Sequence, residues 1–120
     1  MNTAQLKSYC QSFAGATEQE GKHPSNILSF SVGQKKYAYF KTSEPEIWRF
    51  SVRVTPERFL ELTDQAGIKP ARYMHRFHWV TIINAQTMDE EYLKQLVLWS
   101  YQKAMSGLPK KIQNQWTESE

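Results

Sequence analysis

The chain has 120 residues, of which 40% are hydrophobic, 22% charged and 13% aromatic, and this composition excludes a disordered chain. The length suits one domain with one core. A net charge of +3 is modest for a dedicated nucleic-acid-binding protein. No run approaches the ~18 apolar residues of a membrane span, and the first residues lack the pattern of a signal peptide. We therefore expect a cytoplasmic protein that does not enter the membrane.

The first predicted element is a short amphipathic helix over residues 3–13, which should dock on a sheet. Its apolar stripe has helical spacing and consists of Leu6, Tyr9, Cys10 and Phe13. Cys10 is the only cysteine, so an internal disulfide and a cysteine-based metal cluster within the chain are excluded. Because it lies in this stripe, we predict a buried, inert thiol and not a nucleophile with His78 as its base.

Period-two alternation then predicts strands. Residues 27–32 and 37–40 form a hairpin around a turn at residues 33–36. Residues 47–54 form a further strand with one core face and one solvated, basic face. The core face is predicted to carry Trp48, Phe50, Val52 and Val54, and the solvated face Arg49, Ser51 and Arg53.

Thr55 followed by Pro56 predicts the start of a helix over residues 56–66, and Gly67 suits the position after its end. Phe59, Leu60 and Leu62 are expected on its apolar stripe. Residues 68–78 are expected to form a basic and aromatic loop. Residues 79–83, apolar on both faces, are expected to form a strand in the middle of the sheet.

A capping box of Thr87 and Glu90 predicts the start of the longest helix, and Gly107 marks its end. Residues 110–116 are expected to add a further turn, and residues 117–120 to fray. The elements together predict one α+β domain over residues 1–120. In it, N-terminal, central and long C-terminal helices pack on a mainly antiparallel sheet.

Six short motifs follow one another along the chain: Phe13-Ala14-Gly15-Ala16, Val54-Thr55-Pro56-Glu57, Lys69-Pro70, Arg76-Phe77-His78-Trp79-Val80-Thr81, Ser100-Tyr101 and Leu108-Pro109-Lys110-Lys111. Their order resembles the MmcQ/YjbR family of small bacterial proteins over roughly residues 6–111. The most specific part is the basic-x-His-Trp-x-Thr segment, followed by Ser-Tyr and Leu-Pro.

This resemblance implies an α+β fold, which has been likened to double-winged DNA-binding proteins and is similar to secretion-chaperone-like proteins. It implies no particular activity. It also implies a structural role for four motif residues: His78, Trp79, Ser100 and Tyr101. The chain departs from the family at Tyr73-Met74-His75-Arg76, where many relatives carry His-Met-Asn-Lys, so no role of that His or Asn transfers.

No catalytic or metal site is predicted. His75 and His78 lack a third ligand in a recognisable motif, and the acidic run at residues 89–91 is explained by a helix start. No glycine-rich phosphate loop or Gly-x-Ser-x-Gly elbow is present. We therefore expect a protein that is not an enzyme and has no cofactor.

The distinctive chemistry is positive charge beside aromatic residues, which suits phosphates and exposed bases. This pattern predicts a DNA-binding surface made by the hairpin and the loop, with six candidate residues: Lys35, Lys36, Arg49, Arg53, Arg72 and Arg76. The plain alternative is a solvated surface whose Lys and Arg stems cover apolar area.

A second functional hypothesis is a protein-interaction or chaperone-like module without nucleic-acid binding. The modest net charge favours it, and Trp116 is expected to be exposed, as a partner or dimer contact. Trp48, Trp79 and Trp99 are instead expected in the core. The chain is expected to be a monomer or a weak dimer.

Overall fold

A computed structural model describes residues 1–117, which form a six-stranded antiparallel sheet with helices against it. The α-helices are α1 (Thr3–Gln11), α2 (Pro56–Thr63), α3 (Glu90–Ser106) and α4 (Lys110–Thr117). The strands are β1 (Ala16–Gly21), β2 (Ile27–Val32), β3 (Lys35–Lys41), β4 (Phe50–Arg53), β5 (Ile68–Pro70) and β6 (Trp79–Ile82). The predicted α+β class is confirmed. The predicted frayed segment lies outside the described residues, except for Thr117 at the end of α4.

The strand order is β1-β2-β3-β4-β6-β5, with every neighbouring pair antiparallel. Strand β6 therefore lies inside the sheet, as its apolar sequence predicted. Buried residues from the helices join the sheet in one core cluster, including Leu6 of α1, Leu62 of α2 and Leu96 of α3. In the described residues, the α-helices thus pack on one face of the sheet, and no α-helix covers the other face. Within residues 1–117, no helix has the length and apolar character needed to cross a membrane.

The strand predicted over residues 47–54 begins only at Phe50, and the placement of Trp48 in the core was wrong. Trp48 has a left-handed backbone (φ +66°) and is 39% exposed, with the ammonium of Lys7 4.0 Å from its ring centre. The Arg49 amide donates to the Glu46 carbonyl (3.1 Å), so the chain is still turning there.

From Phe50 onward the predicted core face is confirmed, because Phe50, Val52 and Val54 are buried. Ser51, predicted on the solvated face, is also buried, because its hydroxyl is hydrogen-bonded to that of Thr81 on the neighbouring strand.

Two helix predictions need correction. Thr87 does not cap α3, because it closes a preceding 3-10 turn, Ala85–Thr87, and donates to the Asn84 carbonyl. Asp89 caps α3 instead, since its carboxylate accepts from the Tyr92 amide at 2.9 Å. In α2 the Thr55 cap is confirmed, but the helix stops at Thr63 and leaves Leu60 exposed.

Two strands had no strand signal in the sequence. Strand β1 is a polar edge strand whose residues from Thr17 to Glu20 are exposed, so it shows no apolar alternation. Strand β5 is three residues long and lies within the segment predicted as a loop. In both cases backbone pairing with a neighbouring strand makes the strand.

The Ser-Tyr motif forms hydrogen bonds between α3 and the rest of the domain. Ser100 is buried, and its hydroxyl donates to the Tyr37 carbonyl at 2.7 Å. The hydroxyl of Tyr101 donates to the Ala14 carbonyl at 2.7 Å, and its ring stacks on Phe13. These contacts give both residues of the motif a structural part in the fold.

Two glycines, Gly15 and Gly33, make room for large side chains. Gly15 has φ +75°, and a Cβ placed there would lie 2.6 Å from the Trp116 ring. Trp116 is therefore half-buried against the core, and the prediction that it is exposed was wrong. A Cβ placed on Gly33 would similarly lie 2.7 Å from Leu108.

The His-Trp motif shapes the entry to β6. His78 has a left-handed backbone (φ +66°), and its carbonyl accepts from the Val54 amide at 3.0 Å. Its ring packs edge-on against Phe59. Trp79 is buried, as predicted, but lies outside the main core cluster, and Trp99 is half-buried outside that cluster as well.

Candidate functional site

The face of the sheet opposite the helices carries polar and aromatic side chains. Strand alternation puts Tyr39, Ser51 and Thr81 there, because their neighbours in each strand point into the core. The hydroxyls of Ser51 and Thr81 are 2.8 Å apart on adjacent strands. The Tyr39 ring lies 5.6 Å from the Trp79 ring, with the two planes tilted by 31°. These side chains form the floor of a cleft.

Above this floor is an open cleft of about 790 Å³. Its walls come from connections between strands: Ser25 from the segment before β2, Glu46 from the segment before β4, and Tyr73 from the segment between β5 and β6. We call this feature the open-face cleft. Its size lies within the range of about 300–1,000 Å³ that is usual for ligand sites.

The open-face cleft concentrates positive charge. Among the described residues, its cationic lining consists of Lys36, Lys41, Arg49, Lys69 and Arg72, and its acidic lining is the single residue Glu46. The cleft therefore has an excess of four positive charges, more than the net charge of the whole chain. Such a concentration in a concave surface attracts anions.

Glu46 joins the two arginines of the open-face cleft. Its Oε2 atom accepts from Arg49 Nη1 at 3.1 Å and lies 3.5 Å from Arg72 Nη2. Most of the Arg72 side chain remains in solvent. An ion pair with an exposed partner contributes only about 0–1 kcal/mol, so an incoming anion can replace Glu46 at Arg72 at low cost.

Three of the six basic residues singled out from the sequence line the open-face cleft, namely Lys36, Arg49 and Arg72. The other three are not part of its lining. Lys35 reaches toward Gly107 at the end of α3, and Arg76 lies over the Phe77 ring at 5.0 Å. Arg53 is half-exposed and is paired with Trp79 in the sheet register.

A β-bulge explains why Lys36 lines the cleft and Lys35 does not. Strict alternation would place Lys35 on the face of Tyr39. The pairing of β2 with β3 shifts between Phe30 and Ser31, which leaves Tyr37 as an extra residue. Tyr37 is consequently buried beside Ala38, and Lys36 moves to the open face with its ammonium 5.5 Å from the Tyr39 ring centre.

Sequence reasoning missed Lys41 and Lys69 as lining residues. Lys41 lies two residues after Tyr39, so the alternation along this strand was a usable signal. For Lys69 no local signal existed, because β5 is so short that its pairing with β6 alone defines its faces.

The nucleophile and histidine candidates lie elsewhere. Cys10 is buried, and this desolvation raises the pKa of its thiol to about 12. The exposed His75 and the half-buried His78 do not line the cleft. Across residues 1–117, no three His, Cys, Asp or Glu side chains are grouped as metal ligands.

Comparisons with known proteins agree on one family. The YjbR family profile matches residues 11–103. The proteins named Uncharacterized protein YjbR from Escherichia coli K12 and O157:H7 are each 28% identical over 112 residues, covering 91% of this chain and 92% of the relative.

Solved structures show the same fold. The crystal structure of a Deinococcus radiodurans protein with a DUF419 domain has a TM-score of 0.80 and 27% identity, covering 97% of this chain and 88% of that one. A Pseudomonas syringae protein, 21% identical with a TM-score of 0.67, covers 87% of this chain and 99% of its own and supports the fold alone. The family match spans most of the sequence, and the chain therefore belongs to the YjbR family.

Proposed function

We propose that this protein is a non-enzymatic DNA-binding protein that holds phosphates in the open-face cleft. One observation carries the proposal: among the described residues, five cationic side chains line the cleft together with a single carboxylate. Lys and Arg neutralise phosphates and release the counterions that surround DNA, which supplies most sequence-independent affinity.

The lining also suits phosphates in detail. The guanidinium groups of Arg49 and Arg72 share one carboxylate oxygen, so their positions already fit an oxygen anion between them. The hydroxyls of Ser51 and Thr81 are hydrogen-bonded to each other, so one of the two O–H groups remains as a further donor on the floor. Contacts of this kind position a protein on nucleic acid without reading its sequence.

The chemistry of the cleft favours binding over catalysis. Its only carboxylate, Glu46, is engaged by two guanidinium groups. The Cys10 thiol is buried in the core, where its raised pKa keeps it neutral near pH 7. The described lining of the open-face cleft therefore offers neither an unpaired carboxylate nor a thiol for proton transfer or nucleophilic attack.

The test is the affinity for labelled DNA at increasing salt, measured by fluorescence anisotropy. Four or five phosphate contacts predict a log-log slope of about −4 for duplex DNA and about −3 for a single strand, with weak, micromolar or poorer affinity near physiological salt. Absence of binding to either form at about 50 mM salt, where electrostatic binding is strong, would reject the proposal.

Two matched pairs of variants locate the site. Lys36→Glu should weaken binding and flatten the slope by about one, whereas Lys35→Glu, with the same change in charge one residue away, should have a much smaller effect. Arg72→Glu and Arg76→Glu form the second pair. Equal losses within both pairs would place binding outside the cleft.

The second candidate function, protein interaction, is favoured by a shallow depression of about 220 Å³ beside α2 and α3. Leu98 and Trp99 both line this depression, and Leu98 is 39% exposed. The depression is smaller than usual ligand sites and also includes Gln95 and Gln102, so DNA binding remains our proposal. Sedimentation of the protein and of Leu98→Asp over a wide concentration range would reveal self-association through this surface.

A further inference from the structure

Resting on the proposed function, we infer that the ligand is an unpaired strand and that one of its bases stacks on Tyr73 at the mouth of the open-face cleft. Tyr73 lines the cleft, yet 84% of its surface is exposed. A large aromatic ring in solvent gains nothing from burial in its own chain. It does present a face on which a base can stack.

The backbone at Tyr73 strengthens this inference. Its φ is +68°, which is a left-handed conformation that bulky residues rarely adopt. The flanking chain holds it there, since the Ala71 amide donates to the Trp79 carbonyl at 2.9 Å and the Met74 amide to the Ala71 carbonyl at 3.3 Å. Strain of this kind is concentrated at ligand-binding sites. At Tyr73 the left-handed backbone places the aromatic ring at the mouth of the cleft and not in the core.

A second aromatic residue lies on the floor. Tyr39 is half-buried and is supported by Trp79 on the same face of the sheet. The ammonium of Lys36 lies near its ring, which places a phosphate-binding group beside an aromatic surface. Aromatic rings interleaved with cations are the arrangement by which proteins bind single strands without sequence preference.

The shape of the site disfavours a duplex. Paired bases are stacked on one another, and proteins reach their edges with a protruding helix or ribbon that enters a groove. In this protein the aromatic and cationic groups lie within a concave cleft, between the segments that carry Glu46 and Tyr73. The cleft has a volume of about 790 Å³, and in it an unpaired strand can place phosphates on the cations and a base on the Tyr73 ring, whereas a duplex can offer only its phosphates.

The experiment compares one oligonucleotide as a single strand, as a duplex and as an abasic strand with the same number of phosphates. We expect the single strand to bind at least about tenfold more tightly than the other two at equal salt, because stacking contributes about tenfold or more per base. The abasic strand separates stacking from charge, since it retains the phosphates and lacks the bases.

Variants of Tyr73 then test its assignment. Tyr73→Ala should weaken single-strand binding by about tenfold or more and leave duplex binding unchanged, and Tyr73→Phe should restore it. Phe77→Ala is the matched control, because Phe77 is exposed on the same segment and does not line the cleft. Circular dichroism of each variant checks that the fold is retained.

The outcomes separate the two proposals. Equal affinity for single strand and duplex, with both reduced by Lys36→Glu, would overturn the unpaired-strand inference and leave DNA binding intact. A preference for single strands that Tyr73→Ala does not change would overturn the role of Tyr73. Failure of every oligonucleotide to bind would instead reject the proposed function.

Discussion

Glu46 is the acidic side chain that holds Arg49 and Arg72 together at the edge of the open-face cleft. We expect Glu46→Gln to strengthen binding to single-stranded DNA by about fivefold, because it removes a repulsion worth roughly 1 kcal/mol at close range in water. Anisotropy titrations at low salt measure this change. Glu61→Gln removes the same charge from the exposed surface of α2 and is the control. Equal gains in the two variants would show a response to net charge alone.

Cys10 offers a residue-scale test of the core. Burial raises its pKa to about 12, so the thiol is almost entirely protonated at pH 8. A thiol-specific reagent should therefore leave the native protein unlabelled and react fully after denaturation in guanidinium. The raised pKa also predicts that stability is kept below pH 9 and falls as pH rises toward 12, because only unfolding lets the thiol ionise freely. Rapid labelling of the native state would contradict the burial of α1 against the sheet.

At the scale of elements, one buried hydroxyl adds hydrogen bonds to the apolar packing of α3 on the sheet. Ser100 Oγ donates to the Tyr37 carbonyl and lies 3.3 Å from the Arg53 amide, so it links α3 to two strands. Ser100→Ala should lower the free energy of unfolding by about 1–3 kcal/mol, because it leaves a buried carbonyl without its donor. Urea unfolding measures the change. Ser106→Ala is the control, since that exposed hydroxyl contacts only its own helix.

The prediction for residues 47–54 shows where alternation in the sequence predicts burial correctly and where it does not. Alternation correctly assigned Phe50 and Val52 to the core, because β4 pairs regularly with both neighbours. It failed two residues earlier at Trp48, where the backbone turns out of the strand. Phe50→Ala should therefore lower the free energy of unfolding by about 3–5 kcal/mol. Trp48→Ala should lower it by less, because part of the Trp48 ring is already in solvent.

At the scale of the whole molecule, the location of charge matters more than its sum. Lys103→Glu lowers the net charge from +3 to +1, as Lys36→Glu does, but Lys103 is exposed on α3 and does not line the cleft. We expect the salt slope of Lys103→Glu to match that of the unaltered protein, because screening limits surface charges to about 10 Å at 0.1 M salt. The same anisotropy titration gives the comparison. Similar losses for both variants would indicate attraction to the molecule at large.

The sequence by itself determined the elements whose causes are local. Thr55 with Pro56 starts α2, and the apolar stripe of α1 and the alternation around Phe50 each depend on neighbours a few residues away. The family motifs likewise indicated the α+β fold and the structural parts of Ser100 and Tyr101.

Only the tertiary structure determined which residues line the open-face cleft. The bulge at Tyr37 selects Lys36 over Lys35, and it depends on pairing between two strands. Lys69 joins the same surface because β6 lies between β4 and β5, an order that no local pattern contains. Helix starts arise from contacts within a turn or two, whereas a surface across several strands arises from pairings between distant segments. A shift of one residue in such a pairing moves each side chain to the other face.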